Sequence, residues 1–303
     1  MAISRSQLVK ELEPGLNALF GLEYKRYENQ HAEIYNEESS DRAFEEEVML
    51  SGFANAQVKG EGAGVSFDEA QETFTARYTH ETVALAFAIT EEAIEDNLYD
   101  RLASRYTKAL ARSMSNAKQV KSVEPLIQGL PTTNNFDSGD GVALMATNHP
   151  TVAGTFANEL ATSSDLNETS LEQSMIDIGK MTDERGLRIA AKGVKMIIPS
   201  ANQFNAERLM KSQGRTQTAD NDINAINSMG MIPQGYRVNN FLTDPDSFYI
   251  VTDVPNGMKM FSRTPLTTSM EGDFDTGNVR YKARERYAFG ASDFRGIFGV
   301  EGA

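Results

Sequence analysis

Cysteine and tryptophan are both absent from the 303 residues. Without cysteine there is no disulfide, no thiol nucleophile and no thiolate metal site. Histidine is scarce: His31, His80 and His149 lie far apart, and no His-x-x-x-His spacing occurs. The usual parts of a histidine metal centre are therefore missing. No apolar run approaches the roughly 18 residues that a membrane-spanning helix needs. The N-terminus, Met1-Ala-Ile-Ser-Arg-Ser-Gln-Leu-Val-Lys10, has no apolar stretch of the signal-peptide kind. Positive charge is in deficit, with 29 Lys and Arg against 43 Asp and Glu, a formal charge of −14. A dedicated nucleic-acid binder carries a basic footprint that this composition does not offer, so contact with DNA is expected to be local and weak. No Gly-x-Ser-x-Gly elbow, Walker loop or strand-linked Gly-x-Gly-x-x-Gly is found. The residues offer no catalytic group, metal ligand set or cofactor site, and a non-enzymatic role is expected.

What is there reads as a folded chain, 40% hydrophobic and 24% charged. Residues 1–50 carry a loose helical period (Ile3, Leu8, Leu12, Leu16, Leu19) broken at Pro14-Gly15, then the acidic run Glu45-Glu46-Glu47. They suggest an arm that packs elsewhere. Gly52, Gly60, Gly62 and Gly64 mark a loose loop tip, followed by strand-like alternation from Thr73 to Ile89. Phe74 and Tyr78 lie in the opposite phase to Val83, Leu85, Phe87 and Ile89, which predicts a bulge or a change of environment near His80. A long projecting hairpin over 51–89 is expected.

Thr90 opens a predicted long helix with Ile94, Leu98, Leu102, Tyr106, Ala109, Leu110, Met114 and Ala117 on one face, closed by Pro125. Asn167 is the expected N-cap of a second helix ending near Gly186, and Ser200 with Gln203 suggests a capping box for a third. Val194–Ile198 reads as a strand, and 212–230 as a loop. Pro255-Asn256-Gly257 between two apolar runs predicts a hairpin turn. Asp244, Asp246 and Asp253 flank turns, where Asp ordinarily bonds its own backbone. From Val279 to Phe289 strict alternation sets Tyr281, Ala283, Glu285 and Tyr287 against Arg280, Lys282, Arg284 and Arg286. This row of cations admits three readings: a solvated face, a dock for acidic segments such as Glu45–Glu47 of the same or a neighbouring subunit, or a local DNA contact.

Several segments, in order, resemble tailed-bacteriophage major capsid proteins, in particular Mu-like major head subunits. They are Ala143-Leu-Met-Ala-Thr-Asn-His-Pro150, Thr182-Asp-Glu-Arg-Gly-Leu-Arg-Ile-Ala190, Pro199-Ser-Ala-Asn-Gln-Phe-Asn-Ala-Glu-Arg-Leu209, Thr218-Ala-Asp-Asn-Asp-Ile-Asn-Ala225 and Met270-Glu-Gly-Asp-Phe-Asp-Thr-Gly-Asn-Val279. The resemblance implies an α+β fold of the Hong Kong 97 type. Its map would be an N-terminal arm at 1–50, an extended loop at 51–89, a spine helix of the peripheral domain at 90–129, an axial domain at about 130–250 and return strands at 251–303. It also implies self-assembly into hexamers and pentamers of an icosahedral shell around double-stranded DNA. A separate scaffolding protein, a portal and optionally a decoration protein would be partners, and the virion, assembled in the host bacterial cytoplasm, would be the location. Candidate subunit-interface residues are Glu45, Glu46, Glu47, Lys59, Phe74, Arg77, Tyr78, Asp273, Asp275, Asn278, Arg280, Lys282, Arg284 and Arg286. Some relatives crosslink a loop lysine to a peripheral-domain asparagine. Lys59 and Asn278 occupy comparable places, but no motif joins them, and no crosslink is expected. The nearest alternative is an encapsulin-type nanocompartment enclosing enzyme cargo.

Overall fold

The computed structural model describes residues 5–90, 92, 99–133, 135–215, 222–273 and 277–303. Helix α1 spans Arg5–Arg26 and contains Pro14. Helix α2 spans Tyr99–Gln128. The expected helix start, with Ile94 and Leu98, lies outside the described residues. Pro125 does not close α2. The helix runs on for three residues beyond it, to Gln128. The buried face of α2 runs through Ala103, Leu110, Ala111, Met114, Val123 and Leu126. Tyr106 and Ala109, expected on that face, are exposed, because the stripe is rotated by about one residue.

Two four-stranded sheets organise the rest. The first has the order β1-β10-β11-β4, built from Asn36–Ser39 (β1), Glu81–Ile89 (β4), Met258–Gly272 (β10) and Val279–Ala291 (β11). Helices α1 and α2 cover one of its faces, burying Leu16, Phe20, Ile89, Tyr281 and Ala283 together. Register shifts in β10 fall around Pro265, which has no N–H to give to a ladder. The second sheet has the order β12-β9-β7-β8, from Gly193–Pro199 (β7), Tyr236–Asn239 (β8), Phe248–Thr252 (β9) and Ile297–Val300 (β12). Its apolar strands are buried on both faces. On one side lie helix α3 (Glu168–Gly179) and helix α4 (Gln203–Lys211), and on the other the cluster holding Leu126, Met145, Tyr249 and Phe294. A two-stranded ribbon pairs β2 (Phe44–Leu50) with β3 (Glu72–Thr79), and a smaller one pairs β5 (His149–Thr151) with β6 (Gly154–Phe156).

Several expectations are corrected. The hairpin is not 51–89: β3 folds back on β2, while residues 81–89 leave the ribbon and pair with β11. The change of phase at His80 is that change of sheet. Nor do Phe248–Thr252 and Met258–Gly272 form a hairpin. Asn256 makes the expected turn with φ at 61°, but the chain passes from one sheet to the other there. A Cβ on Gly257 would lie 2.6 Å from the Gly296 Cα, so both positions need glycine at this crossing. Asn167 does cap α3, in a reciprocal box with Ser170, but the helix stops at Gly179 instead of Gly186. Ser200 opens a 3-10 turn and provides no side-chain cap to α4. The loop at 212–230 contains a short helix, α5 (Ala225–Met229), capped by Asn224.

Candidate assembly surfaces

The ribbon β2–β3 projects with residues 51–71 as its far segment, and its base is fixed by the inward residues of β3. Phe74 stacks on Phe294 with centroids 6.0 Å apart. Tyr78 meets Phe261 edge-on at 4.7 Å, and its hydroxyl is 2.5 Å from Ser292 Oγ. A Cβ on Gly290 would fall 2.6 Å from the Tyr78 ring, so the ring lies flat on bare backbone. Gly139, at φ +95°, brings a loop against Thr75 O on the same strand. Phe74 and Tyr78 are thus 9% and 2% exposed. As interface candidates they are corrected: they anchor the ribbon within its own subunit.

Arg77 points outward, its guanidinium 4.2 Å from the Phe44 ring centroid and 3.8 Å from Glu46. The acidic run is divided among three partners. Glu45 accepts from Ser40 Oγ at 2.7 Å, Glu46 faces Arg77, and Glu47 accepts from Lys259 Nζ at 2.6 Å. Glu38 of β1 lies 3.1 Å from the same ammonium. Burial works against the Lys259 charge, but the hydrogen bonds it donates to Glu47 and Glu38 outweigh it and hold its pKa above the ordinary lysine value. Sequence reasoning missed Lys259, which looks like a polar break in an apolar strand. The within-subunit version of acidic docking is also overturned, since Glu45 is engaged by Ser40, Glu46 by Arg77 of β3 and Glu47 by Lys259 of β10. Arg185 donates to the Glu69 carbonyl and approaches Asp68 at 4.0 Å, tying the returning limb of the far segment to the body.

Beyond these ties the ribbon is unfinished. Leu50, Phe53 and Val65 are exposed, and Val58 and Phe67 are almost fully so. Lys59 is exposed among them.

The uncovered face of the first sheet is its complement in charge. Arg280, Lys282 and Arg284 stand exposed at alternate positions of β11, as strand geometry requires. Opposite them lie Ala88, Ala86 and Ala84 of β4 and Glu271, Ser269 and Thr267 of β10. Small neighbours leave Lys282 and Arg284 standing clear, whereas Arg280 has Glu271 opposite it. Arg280 pairs with Asp273. Arg286 departs from the row: it is half-buried with its Nε unpartnered. Asp273 and Asn278 close the end of β10–β11 through Asp273 N–H donating to Asn278 O at 2.8 Å. Asp275 lies outside the described residues.

Two buried polar knots hold the body behind these surfaces. His149 Nδ1 and Asp140 Oδ2 are 2.5 Å apart, and the imidazole stacks on Phe294 at 3.9 Å. Its Nε2 donates to Asn158 Oδ1, whose amide nitrogen donates in turn to the carbonyls of Leu144, Phe294 and Ile297. Arg295 is held by Glu184 at 2.6 Å and Asp293 at 3.2 Å. Asp244 Oδ1 and Asp253 Oδ1 accept from backbone N–H groups, as turn aspartates do. Among the described residues no group of three or more His, Asp or Glu converges as a metal site, and no helix is long and apolar enough to cross a membrane.

The sequence profile of a family described as phage capsid protein matches residues 72–300. No curated protein matches the chain. Solved structures share its fold at low identity. The virus-like particle from Pyrococcus furiosus is 11% identical with a TM-score of 0.51, over 94% of this chain and 98% of that one. The capsid of Myoviridae phage XM1 is 11% identical with a TM-score of 0.53, over 89% of each chain. The capsid of the native GTA particle is 12% identical with a TM-score of 0.56, over 90% of this chain and 89% of that one. The arrangement of arm, projecting ribbon, long helix and two sheets is that of the Hong Kong 97-type capsid fold.

Proposed function

The chain belongs to the phage capsid protein family, and on that footing we propose that it is the major shell subunit of a tailed bacteriophage, closing into hexamers and pentamers around double-stranded DNA. It would be assembled in the host bacterial cytoplasm, with a scaffolding protein and a portal as partners and a decoration protein as an optional addition. The projecting ribbon of one subunit lies over the basic sheet face of the next. One observation carries this reading: the far segment 51–71 leaves Val58, Val65 and Phe67 uncovered beside Glu61, Asp68 and Glu69, while Lys282 and Arg284 stand among small residues on an uncovered face that Arg280, paired with Asp273, continues. An apolar, acidic projection and a flat basic face are each incomplete alone and complementary together. Head-to-tail contacts of this kind close rings when the rotation permits. The negative total charge keeps packaged DNA in weak contact with the wall.

The test is the pair Lys282→Glu with Arg284→Glu. Subunits should keep their far-UV dichroism and melting temperature, yet give no closed particles by negative-stain electron microscopy. Particles formed at wild-type yield would defeat the docking assignment. A second reading, an encapsulin-type compartment around enzyme cargo, is supported by the end-to-end likeness to the Pyrococcus furiosus virus-like particle. Nuclease-protected double-stranded DNA inside purified particles supports the phage reading, and a stoichiometric cargo protein without DNA supports the other.

A further inference from the structure

Helix α1 lies on α2 and on the inner face of β11 through two unlike parts. Its middle is apolar, with Leu16 and Phe20 buried among Leu110, Ala111, Met114 and Tyr281. Its C-terminal end and the turn after it are polar and ionisable. Tyr24 donates to Glu285 Oε2 at 3.3 Å, and Lys118 Nζ of α2 stands 3.7 Å from that oxygen. Glu285 is 2% exposed, and its other oxygen is buried without a hydrogen-bond partner, as is the neighbouring Tyr287 hydroxyl. Further along, His31 is 5% exposed, and Gln119 holds it twice: the Gln119 Nε2 donates to His31 Nδ1 at 3.1 Å, and Oε1 accepts the His31 backbone N–H at 3.1 Å. Other charged groups also face this seam: Glu37 of β1, which acts on Tyr24, Glu81 of β4 and Glu124 of α2, which act on Tyr287 and are both paired with Lys121, and Glu23 of α1 and Arg112 of α2, which both bond Tyr27.

A carboxylate held by one long hydrogen bond and one loose ammonium contact is under-compensated for its burial. Swinging α1 away would return it to water. The imidazole is the reverse case. It accepts a hydrogen bond at Nδ1, so a proton there would displace the Gln119 amide and bring a second cation towards Lys118.

We propose that the segment from α1 through His31 is a two-way joint, loosened at Glu285 by alkali and at His31 by acid, so that the N-terminal helix can leave the sheet without the subunit unfolding. The signs follow from linkage. Burial raises the Glu285 carboxyl, with Lys118 and Tyr24 opposing. Its contribution to docking is therefore fully present below the ordinary carboxylate value and lost as pH rises through the raised one. Burial, and then Lys118, bring His31 down from 6.5 to about 4. Its contribution is present above 6.5 and lost as pH falls towards about 4.

Hydrogen exchange, corrected for the intrinsic rate and read by mass spectrometry on full-length subunits and on particles between about pH 4.5 and 8, separates peptides covering 14–27 and 29–35. Protection of 14–27 should fall as pH rises. In Glu285→Gln it should be flat and higher than in the wild type at the alkaline end. Protection of 29–35 should fall in acid and become flat in His31→Gln. Tyr24→Phe, which keeps the apolar packing, should lower protection of 14–27. Flat wild-type profiles, slopes of the opposite sign, an unchanged slope in Glu285→Gln, or higher protection in Tyr24→Phe would each overturn the joint. None of these readings requires particles to form, so the joint and the shell assignment can fail separately.

Discussion

Replacing Arg295 by methionine tests how the two halves of the subunit are joined. The guanidinium donates through Nε to Thr182 O at 2.8 Å, and through its terminal nitrogens to Asp293 at 3.2 Å and Glu184 at 2.6 Å. It lies 4.4 Å from the Phe294 centroid and 5.5 Å from that of Phe156. The Glu184 and Asp293 side chains are 2% and 9% exposed, so a single cation holds a pair of carboxylates in a dry site. Methionine keeps much of the stem and its packing but removes the charge. Breaking a buried pair from one side costs roughly 3–5 kcal/mol, because the other charge stays buried. In a chain of this size about 2 °C is lost per kcal/mol, which gives a fall in melting temperature of about 6–10 °C. Burial already raises the Asp293 carboxyl, with Arg295 as the main opposing influence. Without Arg295 the Asp293 carboxyl should rise further, so the deficit should shrink in acid as it takes up a proton. The triple change Arg295→Met, Glu184→Gln, Asp293→Asn should recover most of the loss. Thermal unfolding of the free subunit followed by circular dichroism at about pH 7.5 and 5 reads both effects. A loss below about 1 kcal/mol, or a deficit that widens in acid, would refute the argument.

Phe74→Ala should destabilise the subunit by about 3–5 kcal/mol in urea unfolding, since it empties the stacking site on Phe294. It should also expose the 72–79 amides to exchange before any other strand. Asn158→Ala orphans the Ala146 N–H, the Leu144 carbonyl and His149 Nε2, and takes one donor from the carbonyls of Phe294 and Ile297. At about 1–3 kcal/mol per buried orphan, a loss of at least about 3 kcal/mol in urea unfolding is expected. Burial, and secondarily Glu301, raise the Glu159 carboxyl to about 7. Its share of stability is thus present in acid and lost as pH rises through about 7. Glu159→Gln should flatten the melting temperature between about pH 5 and 8, and an unchanged slope would remove Glu159 from that role.

What could be read in advance was whatever is written in short-range periodicity. The alternation of 279–289 assigned Tyr281, Ala283, Glu285 and Tyr287 to one face, and all of them are buried. Asn167 announced its cap, and the phase slip at His80 announced a change of environment. Sheet membership was not legible, because it depends on partners far away in the chain. Pro255-Asn256-Gly257 encodes a turn, but that the turn crosses between sheets depends on Gly296 lying beneath Gly257. Phe74 and Tyr78 advertise large apolar surface without saying whose core receives it. Lys259 gave no signal, since its meaning comes from Glu38 and Glu47 converging on it from other strands.

That Phe74 and Tyr78 are used within the subunit bears on how a shell could be assembled from it. A two-stranded ribbon is marginal alone, and one whose anchors docked only in a neighbour would be unordered before assembly. Anchoring the base on Phe294, Phe261 and Ser292 orders the ribbon beforehand, so docking its far segment loses less conformational entropy. The surface left for a neighbour is modest: a few exposed apolar side chains and carboxylates against a short row of cations. Each such contact is weak and salt-sensitive, so a misplaced subunit can leave. In the proposed ring every subunit would be held through both its ribbon and its sheet face, and the second contact would form at high effective concentration. On the proposed docking, weak single contacts on a pre-ordered ribbon would give an assembly that corrects its errors while open and becomes persistent when closed.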